Sequence, residues 1–245
     1  METLRRRPVE KSVVTTEEFW PRPSSSSASE RACKLSNPRR PTLLSSGPAY
    51  GGPLKSNVRR RRHIMPTIVP EFMRFNAPDA DALASGIVEA RIRLAAAVHA
   101  GETLAMLDAA ADLGSMLTTA RMEAEAVQVL EKHLQHVEAN AQHEPAGWFW
   151  NAYATALQYC GRRDEAETYF SKSIERAKSR GWRRLEALAL HHLGRSLAEQ
   201  NRFAEAKSRI SEALAIRIEL NEPRQESSRQ ALVELAALQR RQGLA

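Results

Sequence analysis

The chain has 245 residues, of which 42% are apolar. That suffices for one packed domain of roughly 150 residues with further sequence beside it, and an aromatic share of only 6% in an Ala-, Leu-, Glu- and Arg-rich chain favours helices over strands. The net charge of +7 is uneven: residues 1–63 hold 14 basic and 5 acidic residues, a net +9, while the rest holds 22 against 24, a net −2, which excludes a broad basic face for nucleic acid on the folded part.

Residues 1–64 come first and read as a disordered basic arm. They contain Pro21-Arg22-Pro23, the run Ser24 to Ser27, Gly51-Gly52-Pro53 and the block Arg59-Arg60-Arg61-Arg62. No 3.6- or 2.0-residue apolar period runs through them, so they bury too little surface to offset ordering entropy. Three readings of the arm stay open. It is a solvated tail; or translation starts at Met65 or Met73 rather than Met1; or it contacts nucleic acid or directs the protein to an organelle. Arg59, Arg60, Arg61 and Arg62 can neutralise phosphates without specifying sequence, while Glu2, Glu10, Glu17 and Glu18 weigh against a transit peptide. Arg5-Arg6-Arg7 leads into Pro8-Val9-Glu10-Lys11 and not into an apolar segment, so no secretory signal is expected. No apolar run is long enough for a membrane helix. Cys33 and Cys160 form neither a disulfide framework nor a zinc spacing, and both are expected reduced in a cytoplasmic protein.

From residue 65 to 245 the expectation is a helical domain. Residues 79–99 predict a capping helix. Breaks follow near Gly101, Arg121, Pro145, Gly161, Gly181, Asn201 and Pro223, the residue types that end helices. They delimit eight predicted helices, and loops this short make neighbours antiparallel. The last, over 224–242, carries Ala231, Leu232, Leu235 and Leu238 on one face and predicts a C-terminal cap.

Self-similarity organises the middle. Leu113-Gly114, Tyr153-Ala154 and Leu193-Gly194 each set a large apolar residue before a small one, at a spacing of 40. Leu117, Leu157 and Leu197 follow, then Ala126, Ala166 and Ala206, then Leu130, Phe170 and Ile210. The small residues admit a close second helix and the large ones fill the remaining gap. A single hairpin leaves an apolar face open, so hairpins must stack. On these columns, with Trp150 in the leading tryptophan slot and Gly161 at the turn, the chain resembles the tetratricopeptide repeat family. The units over 107–140, 147–180 and 187–220 are similar to the longer-period repeats of bacterial signalling regulators. The closing proline is absent, and Arg121 and Asn201 stand where the turn glycine belongs.

The resemblance implies an all-α, right-handed superhelical solenoid with capping helices, and a non-catalytic scaffold that binds a protein or peptide in a groove lined by the first helix of each unit. Helical spacing then selects an exposed groove face: Trp148, Asn151, Thr155 and Gln158 in the middle unit, Leu188, His191, His192, Arg195 and Glu199 in the third, and Asp108, Asp112, Ser115 and Thr118 in the first. Amides suit a peptide backbone, and Arg195 suits a carboxylate. With Arg195 the only strong cation on that face, opposed by Asp108, Asp112 and Glu199, a clamp for a terminal carboxylate is not supported. No cofactor or metal is expected. His133 and His136 lack a third ligand in register, His191 and His192 point apart, and Cys160 reads as a small buried thiol. The alternative function is a regulator whose arm contacts nucleic acid while the repeats bind a partner.

Overall fold

The structure, a computed structural model, describes residues 71–243, which belong to one compact unit. The arm over 1–64 with its arginine block, and the candidate starts at Met1 and Met65, lie outside the described residues.

Among those residues there are nine helices and no strand: α1 (Ala80–Ala100), α2 (Thr103–Thr119), α3 (Glu123–Glu131), α4 (Leu134–Ala139), α5 (Glu144–Tyr159), α6 (Arg163–Arg180), α7 (Arg183–Glu199), α8 (Phe203–Glu219) and α9 (Gln225–Arg241). The expected eight become nine because the second helix of the first unit breaks at Lys132 and His133. There the His133 N–H donates to the Leu130 carbonyl only three residues back, 3.0 Å away, the tight turn typical of a helix end. Leu130 and Val137, on either side of the break, are both fully buried, so the interruption leaves the core stripe intact.

Local chemistry sets the ends. Asp79 caps α1 by accepting from the N–H groups of Asp81 and Ala82 at 3.0 and 2.9 Å. The turns α2–α3, α5–α6 and α7–α8 each place one residue in the left-handed region: Arg121 at φ 62°, Gly161 at 81° and Asn201 at 60°. Only glycine does so without a steric cost, so the Arg121 turn is strained for its tightness.

The small residues are contact points. A Cβ on Gly114 would lie 2.5 Å from Leu130 Cδ1, and one on Gly194 would lie 2.5 Å from Ile210 Cγ1. In the first and third units the large residue thus fills the space over the small residue of its own hairpin. Phe170, at the matching position of the middle unit, is fully buried, worth roughly 1.5–3 kcal/mol of transfer free energy.

The helices α2, α5, α7 and α9 follow one another along one side, while α3, α6 and α8 stand behind them. Leu107, Leu117, Phe149, Trp150, Leu157, Leu185, Leu190 and Ile210 fill the layer between. The last helix covers the end of the stack with Ala231 and Leu235 buried and Leu232 and Leu238 half-buried. At the other end α1 buries Ala90 and Ala97 but leaves Val88, Ile92 and Val98 exposed. No helix among the described residues is long and apolar enough to cross a membrane.

Candidate functional site

The first helices bring most of the sequence-predicted groove residues to one face, but not to solvent. Asn151, Gln158, His191, Arg195, Glu199, Asp112 and Thr118 are buried. Trp148, Thr155, His192, Asp108, Ser115 and Leu188 are half-buried. The expected exposed face is corrected on this point: adjacent first helices close on one another, and a stretch of the chain's own backbone covers one edge.

Several of these side chains are engaged within the stack. Thr118 donates to the Gly114 carbonyl at 2.8 Å, and Thr155 donates to the Asn151 carbonyl at 2.8 Å. Asp112 pairs with Arg93 of α1 at 3.0 Å. Trp148 Nε1 donates to Glu144 one turn back. His191 and His192 do point apart. His191 Nδ1 lies 3.2 Å from Ser228 Oγ on α9, and His192 Nδ1 lies 3.1 Å from Thr155 Oγ1 on α5. Burial holds the pKa of both well below the ordinary histidine value, with the charges of Arg195 and Arg217 adding to it. Arg217, itself buried, is pulled down to about 10 by desolvation and donates to Ser228 Oγ at 2.8 Å. Asn151 Oδ1 is buried without a hydrogen-bond partner.

A buried polar cluster lies where α5 and α7 end. Glu199, the last residue of α7, has a fully buried side chain. Arg74 grips both its oxygens, Nε to Oε1 at 2.8 Å and Nη2 to Oε2 at 3.1 Å. Arg163 Nη2 reaches Oε2 at 3.2 Å, and the Phe72 N–H donates to Oε1 at 3.3 Å. Gln158 also interacts with this carboxylate. Burial alone would raise the Glu199 pKa, but the bonds and charge of Arg74 outweigh it and hold it below the usual value. The placement runs against helix electrostatics: Glu199 sits at the negative end of α7 and Arg163 at the positive end of α6. Tertiary contacts therefore fix these charges, not helix stability.

Arg195 is not free for a ligand carboxylate. Its Nη2 donates to the Tyr159 hydroxyl at 2.8 Å and its Nε to the Phe72 carbonyl at 3.4 Å. Nor is it the only strong cation here, since Arg74 and Arg163 flank it. Phe72, Arg74, Tyr159 and Arg163 were not among the expected residues: the first two lie in a non-helical stretch with no helical period, and the other two are the last residue of α5 and the first of α6. The only local hint was the aromatic and basic run Phe72-Met73-Arg74-Phe75.

Cys160 is exposed, a correction to the buried thiol expected. It follows the last turn of α5, outside the core face, yet partial desolvation and then Glu123 still push its pKa up. The His133 and His136 rings are 6.1 Å apart, and among the described residues no group of three or more His, Cys, Asp or Glu is placed to hold a metal ion.

Comparison with known proteins agrees with this geometry. Residues 145–219, spanning α5 to α8, match the tetratricopeptide repeat family model. No curated protein matches the chain.

Proposed function

Because this chain carries tetratricopeptide repeats over residues 145–219, we propose that it is a non-catalytic scaffold that recognises a protein or peptide through the face lined by α2, α5, α7 and α9. Such repeats generally mediate protein–protein interaction and are typically non-catalytic. The observation that carries the reading is that a stretch of the chain's own backbone lies against this face. The non-helical stretch 71–76 is held there through its main-chain N–H and carbonyl groups, as an incoming peptide would be. Asn151, with a buried oxygen that lacks a donor, adds an unused acceptor on the same face.

Affinity capture with the full chain as bait, read by mass spectrometry, tests it. A specific partner should be recovered, and less of it with Asn151→Ala or Trp148→Ala. Recovery from both variants equal to that from the unsubstituted chain removes the face from the reading.

A further inference from the structure

Residues 71–76 run across the C-terminal ends of the first helices. Glu71, Phe72 and Met73 border a depression against Gln230, Glu234 and Leu238 of α9. Phe72 and Arg74 meet Glu199 of α7. Phe75 meets Tyr159 of α5, and Asn76 meets Arg121 beyond α2 at 2.9 Å. None of these bonds is local; the partners to Glu199 are 125 and 127 residues away in sequence.

The contacts fall into two kinds. Main-chain groups are matched without regard to sequence: Phe72 N–H to Glu199, Phe72 carbonyl to Arg195, and Phe75 N–H to the Tyr159 hydroxyl at 3.2 Å. Side chains make the second kind: Asn76 accepts from Arg121 at the exposed end, and Phe72 and Arg74 are the two held in buried surroundings. Phe72 is 5% exposed and belongs to the main apolar core. Arg74 forks onto Glu199 and lays its guanidinium over the Tyr159 ring, 4.4 Å from its centroid, a double fit that lysine does not reproduce. Met73 between them takes a left-handed backbone, φ 48°, rare for a non-glycine residue. That kink brings the Phe72 N–H and the Arg74 side chain onto one carboxylate.

We propose that this edge of the repeat face is a recognition site for a peptide with an aromatic residue, a one-residue spacer and an arginine, and that residues 72–74 are its occupant in cis until such a partner displaces them. The inference rests on the recognition reading above. Glu199 is what selects the arginine, because Arg163 reaches only its Oε2 and a guanidinium in the Arg74 position is needed to span both oxygens. Tyr159 and Arg195 supply the main-chain matches for any peptide. The strained Met73 lowers the hold of the resident segment relative to a partner with an unstrained spacer.

The test uses the full chain and a fluorescent octapeptide, Pro-Glu-Phe-Met-Arg-Phe-Asn-Ala, supplied in trans. With Phe72→Ala and Arg74→Ala together emptying the site, the peptide should bind at least about tenfold tighter than to the unsubstituted chain. Binding should fall by a similar factor when the peptide's arginine is replaced by alanine. Equal binding by the two proteins at equal helix content, or by the two peptides, overturns the proposal. If the double variant loses its helices, amide exchange on the unsubstituted chain decides. Excess peptide must speed exchange at Phe72 and Phe75, and unchanged rates overturn it. A dimer that forms with rising concentration and vanishes in the double variant assigns the site to a second copy and also overturns it. A captured protein partner that binds both chains equally defeats this inference alone and leaves the scaffold reading standing.

Discussion

Arg74 holds both carboxylate oxygens of Glu199, at 2.8 and 3.1 Å, across 125 residues of chain. The pair joins the stretch before α1 to the end of α7, so the segment ahead of the repeats and the third unit share a charged contact that no single hairpin contains.

Removing the carboxylate should be costly. Glu199→Ala leaves Arg74 and Arg163 facing a buried site without their counter-charge. A loss of about 3 kcal/mol is expected, in the range for breaking a buried pair by taking one partner. Urea denaturation followed by far-ultraviolet circular dichroism measures it. A loss under about 1 kcal/mol would place the pair with surface ion pairs instead.

Acid should destabilise the fold in two windows. His191 and His192 are held neutral by burial, with folded pKa values below the unfolded value of about 6.5. The unfolded chain therefore binds their protons first, and stability falls as pH drops below about 6.5. The Glu199 pKa is also lowered. Its contribution is full above the unfolded carboxyl value, about 4.3, and is lost as pH falls through the folded value. Thermal melts from pH 7.5 to 3.5 should show both declines, and a variant with both histidines changed to Gln should lose the upper one.

The two kinds of glycine should respond differently to alanine. At Gly194 the new methyl meets Ile210 Cγ1 at 2.5 Å and the Ala206 carbonyl oxygen at 3.1 Å, so α7 and α8 must separate. A cost of about 1–3 kcal/mol is expected from overpacking. At Gly161 nothing lies closer than Arg163 Nη1 at 3.7 Å, but φ is 81°, so the cost is backbone strain alone, about 1–2 kcal/mol. The variants separate by adding Ile210→Ala, which should rescue Gly194→Ala in a double-mutant cycle and leave Gly161→Ala unchanged.

Arg217 ties α8 to the closing helix by donating to the Arg224 carbonyl at 3.0 Å and to Ser228 Oγ at 2.8 Å. Arg217→Ala removes both bonds and should loosen α9 by about 1.5–3 kcal/mol. Limited proteolysis should then cut near residues 221–225 well before the rest of the stack. Cleavage spread evenly along the chain would mean that the tie serves the whole fold.

Much of the architecture was legible because it is encoded locally. The apolar period set the helices, Gly101 and Gly181 the ends of α1 and α6, and the small residues Gly114 and Gly194 the close approach of paired helices. Even the departures at Arg121 and Asn201 marked real left-handed turns. The break between α3 and α4 was not legible, since Leu130 and Val137 keep the helical stripe in register across it.

Sequence by itself therefore determined that the chain is a stack of helical hairpins with Trp150 and Phe170 in its core, because neighbours three, four and seven residues apart decide burial on a helix. Only the tertiary structure decided what covers the inner face. Asn151, Gln158, Arg195 and Glu199 have the spacing of a solvated stripe, yet they are buried. The partners of Arg195 and Glu199 at 71–76 are brought near only when the stack closes, and no local period encodes a contact made across more than a hundred residues.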